Sequence, residues 1–128
     1  MVIPSLGCGR RTPMKAAVIA HWTGMVPGRE REAFELARES DEFWGKLLEE
    51  GRIDDMGWFL GGDGTSYHII RGDEASLSEI GMTPEALALG TKCSLLLTDY
   101  GYGLYATGDA AEAMMGLFEQ TAKELHLV

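Results

Sequence analysis

KAAVIAHWTGMVPGREREAFELARESDEFWGKLLEEG, running from Lys15 to Gly51, is the stretch on which the fold turns. Its first eight residues alternate, with Ala16, Val18, Ala20 and Trp22 on one face and Ala17, Ile19 and His21 on the other. Both faces carry apolar residues, which predicts a central strand covered on its two sides. Pro27-Gly28 then presets a helix start, and Ala33, Leu36, Ala37, Ser40, Phe43, Trp44, Leu47 and Leu48 recur at helical spacing as its core-facing stripe. Glu42 with Lys46, and Arg38 with Glu42, stand four apart and are expected to lace the outer face with ion pairs. Gly51 supplies the stop.

Outward from this unit, Arg52 to Gly61 predicts a second strand with Met56, Trp58 and Leu60 on one face. Gly62-Asp63-Gly64-Thr65 turns the chain into a third strand, Ser66 to Arg71, and the pair reads as a hairpin. Asp73 is placed to cap a short helix over Glu74 to Ile80. Thr83-Pro84 caps a second piece ending at Gly90. Lys92 to Asp99, with three consecutive leucines, is expected to be the fourth strand, and YGYGLY after it either prolongs that strand or loops away. Asp109 with Glu112 suits a capping box for a last helix whose buried stripe is Met114, Phe118, Ala122 and Leu125. The order βαββαβ followed by a helix predicts an α+β fold, a ferredoxin-like antiparallel sheet with an additional C-terminal helix. One sheet face is left bare by such an order, and a second subunit is the usual cover.

A chain of 128 residues can bury roughly two-thirds of its unfolded surface around one core. Residues 14–128 are therefore expected to form one domain, behind an irregular tail, residues 1–13, rich in proline and glycine. Because a strand starts directly after Met14, that methionine is expected to be the natural start, or the tail an upstream extension. Twenty acidic residues against eleven basic ones leave a net charge of −9, which repels a phosphate backbone and forfeits counterion release. Nucleic acid and anionic membranes are thus excluded as partners. Cys8 and Cys93 are too far apart in sequence for a metal knuckle, and no apolar run approaches the ~20 residues of a membrane helix. A cytoplasmic location is expected.

The run HWTGMVPGREREAFE, residues 21–35, the helix end WGKLLEEG, residues 44–51, and the strand arrangement that follows resemble small uncharacterised bacterial proteins of the dimeric α+β-barrel superfamily. In that superfamily two ferredoxin-like sheets close into a shared barrel. The resemblance spans residues 14–128, is densest over His21 to Glu32, and implies a homodimer. It brings no catalytic residues with it. Wider relatives of the fold include cofactor-free monooxygenases, haem-degrading enzymes and stress-response proteins, so fold alone leaves the chemistry open.

His21, at the carboxyl end of the first strand, and His68, on the third, are the candidate catalytic residues, since imidazole transfers protons near neutral pH. His21 equally suits a structural tie between strand and loop. The two share a face only if the pairing register allows it. With Asp99 they would suffice chemically for zinc or iron, but nothing in the spacing requires a metal, and neither metal nor cofactor is expected. Trp22, Trp58, Asp99 and Tyr100 are the candidate ligand-binding residues. Trp44 and Phe59 could join an aromatic pocket or simply be core, and Tyr102 and Tyr105 suit a pocket lip or a dimer rim. Gly61 to Thr65 leads into a strand and lacks the P-loop lysine, so it is a turn rather than a phosphate cradle. Cys93 is expected to be a small buried hydrophobe. Three functional readings follow. The first is a homodimer binding a small apolar or aromatic metabolite, the second a cofactor-independent monooxygenase-like enzyme, and the third a structural dimer without ligand.

Overall fold

A computed structural model describes residues 14–128; the expected tail, residues 1–13, lies outside the described residues. Strand β1 (Lys15–Trp22) is followed by the two-residue β2 (Gly24–Met25), helix α1 (Glu30–Glu49), and the hairpin β3 (Asp55–Leu60) and β4 (Ser66–Asp73). Helices α2 (Glu74–Gly81) and α3 (Pro84–Leu96) precede the short β5 (Leu97–Thr98), strand β6 (Gly101–Ala106) and helix α4 (Gly108–Glu124). The four long strands form one antiparallel sheet in the order β3-β4-β1-β6, so β1 is central and next to β4, as the ferredoxin-like order requires.

Helix α1 ends in a Schellman arrangement. Arg52 donates its backbone N–H to the Leu47 carbonyl and Gly51 donates to Leu48, with Gly51 at φ +73°, a conformation that costs glycine least. Its stripe is as expected at Ala33, Leu36, Ser40 and Leu47, which are buried, whereas Leu48 falls on the exposed side. Neither expected ion pair along the helix forms. Lys92 of α3 instead reaches Glu39 at 2.9 Å, tying the two helices together. The hairpin closes through the Gly61 N–H to Thr65 carbonyl bond at 2.8 Å, with Gly64 at φ +92°.

The fourth sheet strand is Gly101–Ala106, not Lys92–Asp99. Thr83 accepts the Ala86 N–H and Pro84 opens α3, and the Ala/Leu-rich sequence carries that helix through Gly90 to Leu96. A short apolar run cannot by itself distinguish helix from strand, and here the well-capped helix upstream took it. Asp73 does occupy the N-cap position of α2, but its carboxylate bonds Lys15 at 2.6 Å instead of capping. Helix α4 starts two residues earlier than expected, with Thr107 as N-cap and no side-chain cap, so the Asp109–Glu112 box is not used.

The densest core lies where α1 and α2 cover the sheet. Ile70, Leu77 and Ile80 are each 1% exposed, around Ala16, Leu47 and Ile53. The expected α4 stripe is the largest departure. Ala110 is buried near the start of the helix, yet Met114, Phe118 and Leu125 on the same face are 61%, 76% and 64% exposed, and only Ala122 is half-buried. Among the described residues no helix is long and apolar enough to cross a membrane.

Candidate functional site

Pairing register decides which side chains share a face. Ala20 pairs with His68 and Tyr102, Trp22 with Ser66, and Trp58 with His68, so these residues line the helix-covered face of the sheet. His21 pairs with Tyr67 and Gly101 on the opposite, open face. The two histidines therefore do not converge, and His21 does not line the space between sheet and helices. Its ring lies over Gly101, where an added Cβ would stand 2.8 Å from Nε2. The set His21, His68 and Asp99 is not assembled for a metal, and no group of three or more His, Cys, Asp or Glu side chains suited to one occurs among the described residues.

Between sheet and helices lies a cavity of about 1040 Å³. That is at the top of the roughly 300–1,000 Å³ usual for ligand pockets. Small side chains create it. Ala33, Ala37 and Ser40 on α1 face Ala20 and Ser66 on the sheet, and none of them spans the gap between layers. Trp22, Trp44, Trp58, His68, Tyr100 and Tyr102 add an aromatic wall. Asp99 is not on that wall. It sits at φ +53° in the turn before β6 and accepts a 2.7 Å hydrogen bond from Thr23, pinning the β2–β5 pair. Phe59 and Tyr105 lie on the open face.

His68 is the focus of the wall. It is 5% exposed, and its Nε2 has no hydrogen-bond partner among the described residues. A polar atom left buried and unpaired costs about 1–3 kcal/mol, and this one faces the cavity, from which a water or a ligand can reach it. The imidazole stacks on the Trp58 indole with ring centres 3.9 Å apart and planes 7° from parallel. Trp22 meets the other ring edge-on at 5.9 Å. The Trp58 Nε1–H donates to Asp41 Oδ1 at 3.2 Å. Burial pushes the His68 pKa down from 6.5 to about 4, opposed by the negative charge of Asp41. At neutral pH the ring is thus uncharged and holds a free lone pair. Across the cavity, burial pushes up the pKa of Cys93 on α3 and of Tyr100, and both stay protonated at neutral pH.

A testable consequence concerns stability. Between pH 6.5 and about 4 the unfolded chain protonates this histidine while the folded one does not, so His68 lowers stability as pH falls through that window. The full effect is about 3 kcal/mol, from 1.36 kcal/mol per tenfold difference in proton affinity. Urea unfolding of the wild type and His68→Phe at pH 7 and pH 4.5 is expected to show the wild type losing more stability by a substantial part of that amount.

Sequence reasoning missed Asp41. Asp41 stands beside Ser40, and a serine within the apolar stripe of α1, with alanines one and two turns before it, was the available sign that this helix face meets a void and not a packed core.

No family model matches the chain, and no curated protein matches it. Solved structures do. The chain is similar to a dimeric protein of unknown function and ferredoxin-like fold from Bacteroides fragilis, at 15% identity and TM-score 0.52 over 73% of this chain and 96% of that one. It is also similar to the hydroxynitrile lyase of Passiflora edulis, at 12% identity and TM-score 0.59 over 77% and 97% of the two chains. A third is SnoaB, a cofactor-independent oxygenase from Streptomyces nogalater, at 14% identity and TM-score 0.57 over 75% and 95%. The likeness establishes a shared ferredoxin-like α+β fold.

Proposed function

We propose that this protein is a homodimer that binds a small, flat, apolar or aromatic metabolite between its sheet and helices, with His68 accepting a hydrogen bond from it. One observation carries the ligand reading: a cavity walled by aromatic rings contains a buried imidazole nitrogen with no partner. A structural role alone leaves both unexplained. The dimer rests on two apolar surfaces that nothing covers among the described residues. These are the open sheet face, with Phe59, Tyr67 and Tyr105 half-exposed, and the stripe on α4. The Bacteroides fragilis neighbour is described as dimeric.

Quenching of tryptophan fluorescence by 4-nitroanisole, a flat neutral nitroaromatic, tests the cavity. Saturable quenching with one site per chain is expected, and its absence would sink the ligand reading. Sedimentation at micromolar concentration tests the dimer, and a monomer there refutes it.

The second reading, an enzyme of the cofactor-independent oxygenase type, is favoured by the same neutral imidazole. Such a base can take a proton from an electron-rich ring and leave an anion that molecular oxygen oxidises. One neighbour, SnoaB, is described as a cofactor-independent oxygenase. Oxygen uptake with a panel of hydroxylated aromatics should fall on His68→Ala and persist in His21→Ala, whose side chain faces away. No uptake by the wild type counts against it.

A further inference from the structure

Resting on the reading of the cavity as a ligand site, the geometry points to Asp41 and Trp58 as a positioning pair that increases the capacity of His68 to accept a proton from a ligand hydroxyl. The three groups form a stack in series. The Asp41 carboxylate accepts the Trp58 N–H at 3.2 Å, and the face of that same indole lies 3.9 Å from the imidazole at 7°. An indole whose N–H is held by a carboxylate is richer in electrons at its face. A cation over such a face is attracted by it, and tryptophan offers the strongest such surface. Positive charge on His68 therefore develops against a preorganised, negative-tending plane.

In the step itself the proton of the ligand O–H moves toward an imidazole nitrogen, the O–H bond weakens, and its electron pair stays on oxygen. No oxidant or further reactant enters. The other ionisable groups on the cavity wall are Arg38 from α1, Cys93 from α3, and Tyr100 and Tyr102 around the start of β6. None of them forms a hydrogen bond or an ion pair with any member of the stack.

Two probes of one shape isolate the effect: 4-nitrophenol, which carries a hydroxyl, and 4-nitroanisole, which carries a methyl ether in its place. The readout is their affinity ratio at pH 6. In the wild type the phenol is expected to bind about tenfold tighter, as a buried hydrogen bond to a free lone pair implies. Asp41→Asn should cut that ratio several-fold, with 4-nitroanisole affinity held within about twofold. Trp58→Phe keeps an aromatic plane but has no N–H, and should cut the ratio likewise. The decisive comparison is the double variant. If Asp41 acts chiefly through the indole, Asp41→Asn lowers the ratio much less in the Trp58→Phe background than in the wild type, the remainder being the direct field of its charge at His68. Additive effects, or an unchanged ratio in Asp41→Asn, overturn the proposal. Failure of 4-nitroanisole to bind the wild type overturns the ligand site instead, and the two failures are told apart by that measurement. Asp41 is exposed, so its replacement leaves the core intact.

Discussion

Ala20→Trp is expected to weaken 4-nitroanisole binding about a hundredfold while leaving the thermal unfolding midpoint unchanged or raised. Ala20 sits in the middle of β1, directly across from His68 and Tyr102, on the face that bounds the cavity. An indole there takes the place where a flat ligand would lie against His68 and Trp58. The displaced ring loses roughly 100–150 Å² of apolar burial, about 3 kcal/mol, which is two powers of ten in affinity. The stability readout is as informative as the binding. In a close-packed core such an insertion forces side chains off their rotamers and costs about 1–3 kcal/mol. Into a void of about 1040 Å³ it adds contacts at little strain. Differential scanning calorimetry with isothermal titration checks both, and a large drop in the midpoint would show that the two layers are packed together in solution.

The second large effect lies on α4. Replacing Leu117 and Phe118 together by Asp is expected to convert the dimer to monomers, raising the dissociation constant at least a thousandfold. These residues lie on the helical face that begins, buried, at Ala110 and continues through Met114 to Leu125. Phe118 is 76% and Leu117 46% exposed among the described residues, so charge there costs little inside the protomer. Against a second copy each side chain contributes about 1.5–3 kcal/mol of burial, and twofold symmetry counts every position twice. Even half of that total is several kcal/mol, or three powers of ten. Analytical ultracentrifugation should find the variant as a folded monomer, and its urea midpoint should no longer depend on protein concentration. A variant that remains dimeric with unchanged affinity would remove α4 from the interface and leave the open sheet face to carry it.

How far the sequence spoke for itself differs from element to element. Strand β1, helix α1 and the β3–β4 hairpin were legible because each is specified locally, by alternation, by a three-and-four spacing, and by a glycine-rich turn. Local signals also located the caps at Gly51 and Thr83, and they failed where two elements compete for one run. Leu95 to Leu97 suits either a strand or the end of a helix, and the momentum of α3 settled it. Asp73 was correctly placed at a helix start, but the nearby Lys15 ammonium, 58 residues away in sequence, took its carboxylate.

The amino-acid sequence by itself determined the order of the long strands and helices, the two faces of β1, a net charge of −9, and the aromatic residues from which a pocket could be made. Tertiary structure alone decided that His68 enters the cavity and His21 does not. Side chains on a strand alternate with a period of two, so the alternation divides each strand into two sets without saying which set on one strand meets which on the next. That choice was made by the pairing of Ala20 with His68. It was likewise the packing of layers that turned the small residues of α1 and β1 into a void, and that left the apolar stripe of α4 without a partner among the described residues. Periodicity shows that a surface is apolar; what covers it is fixed by contacts between residues far apart in sequence or in another copy.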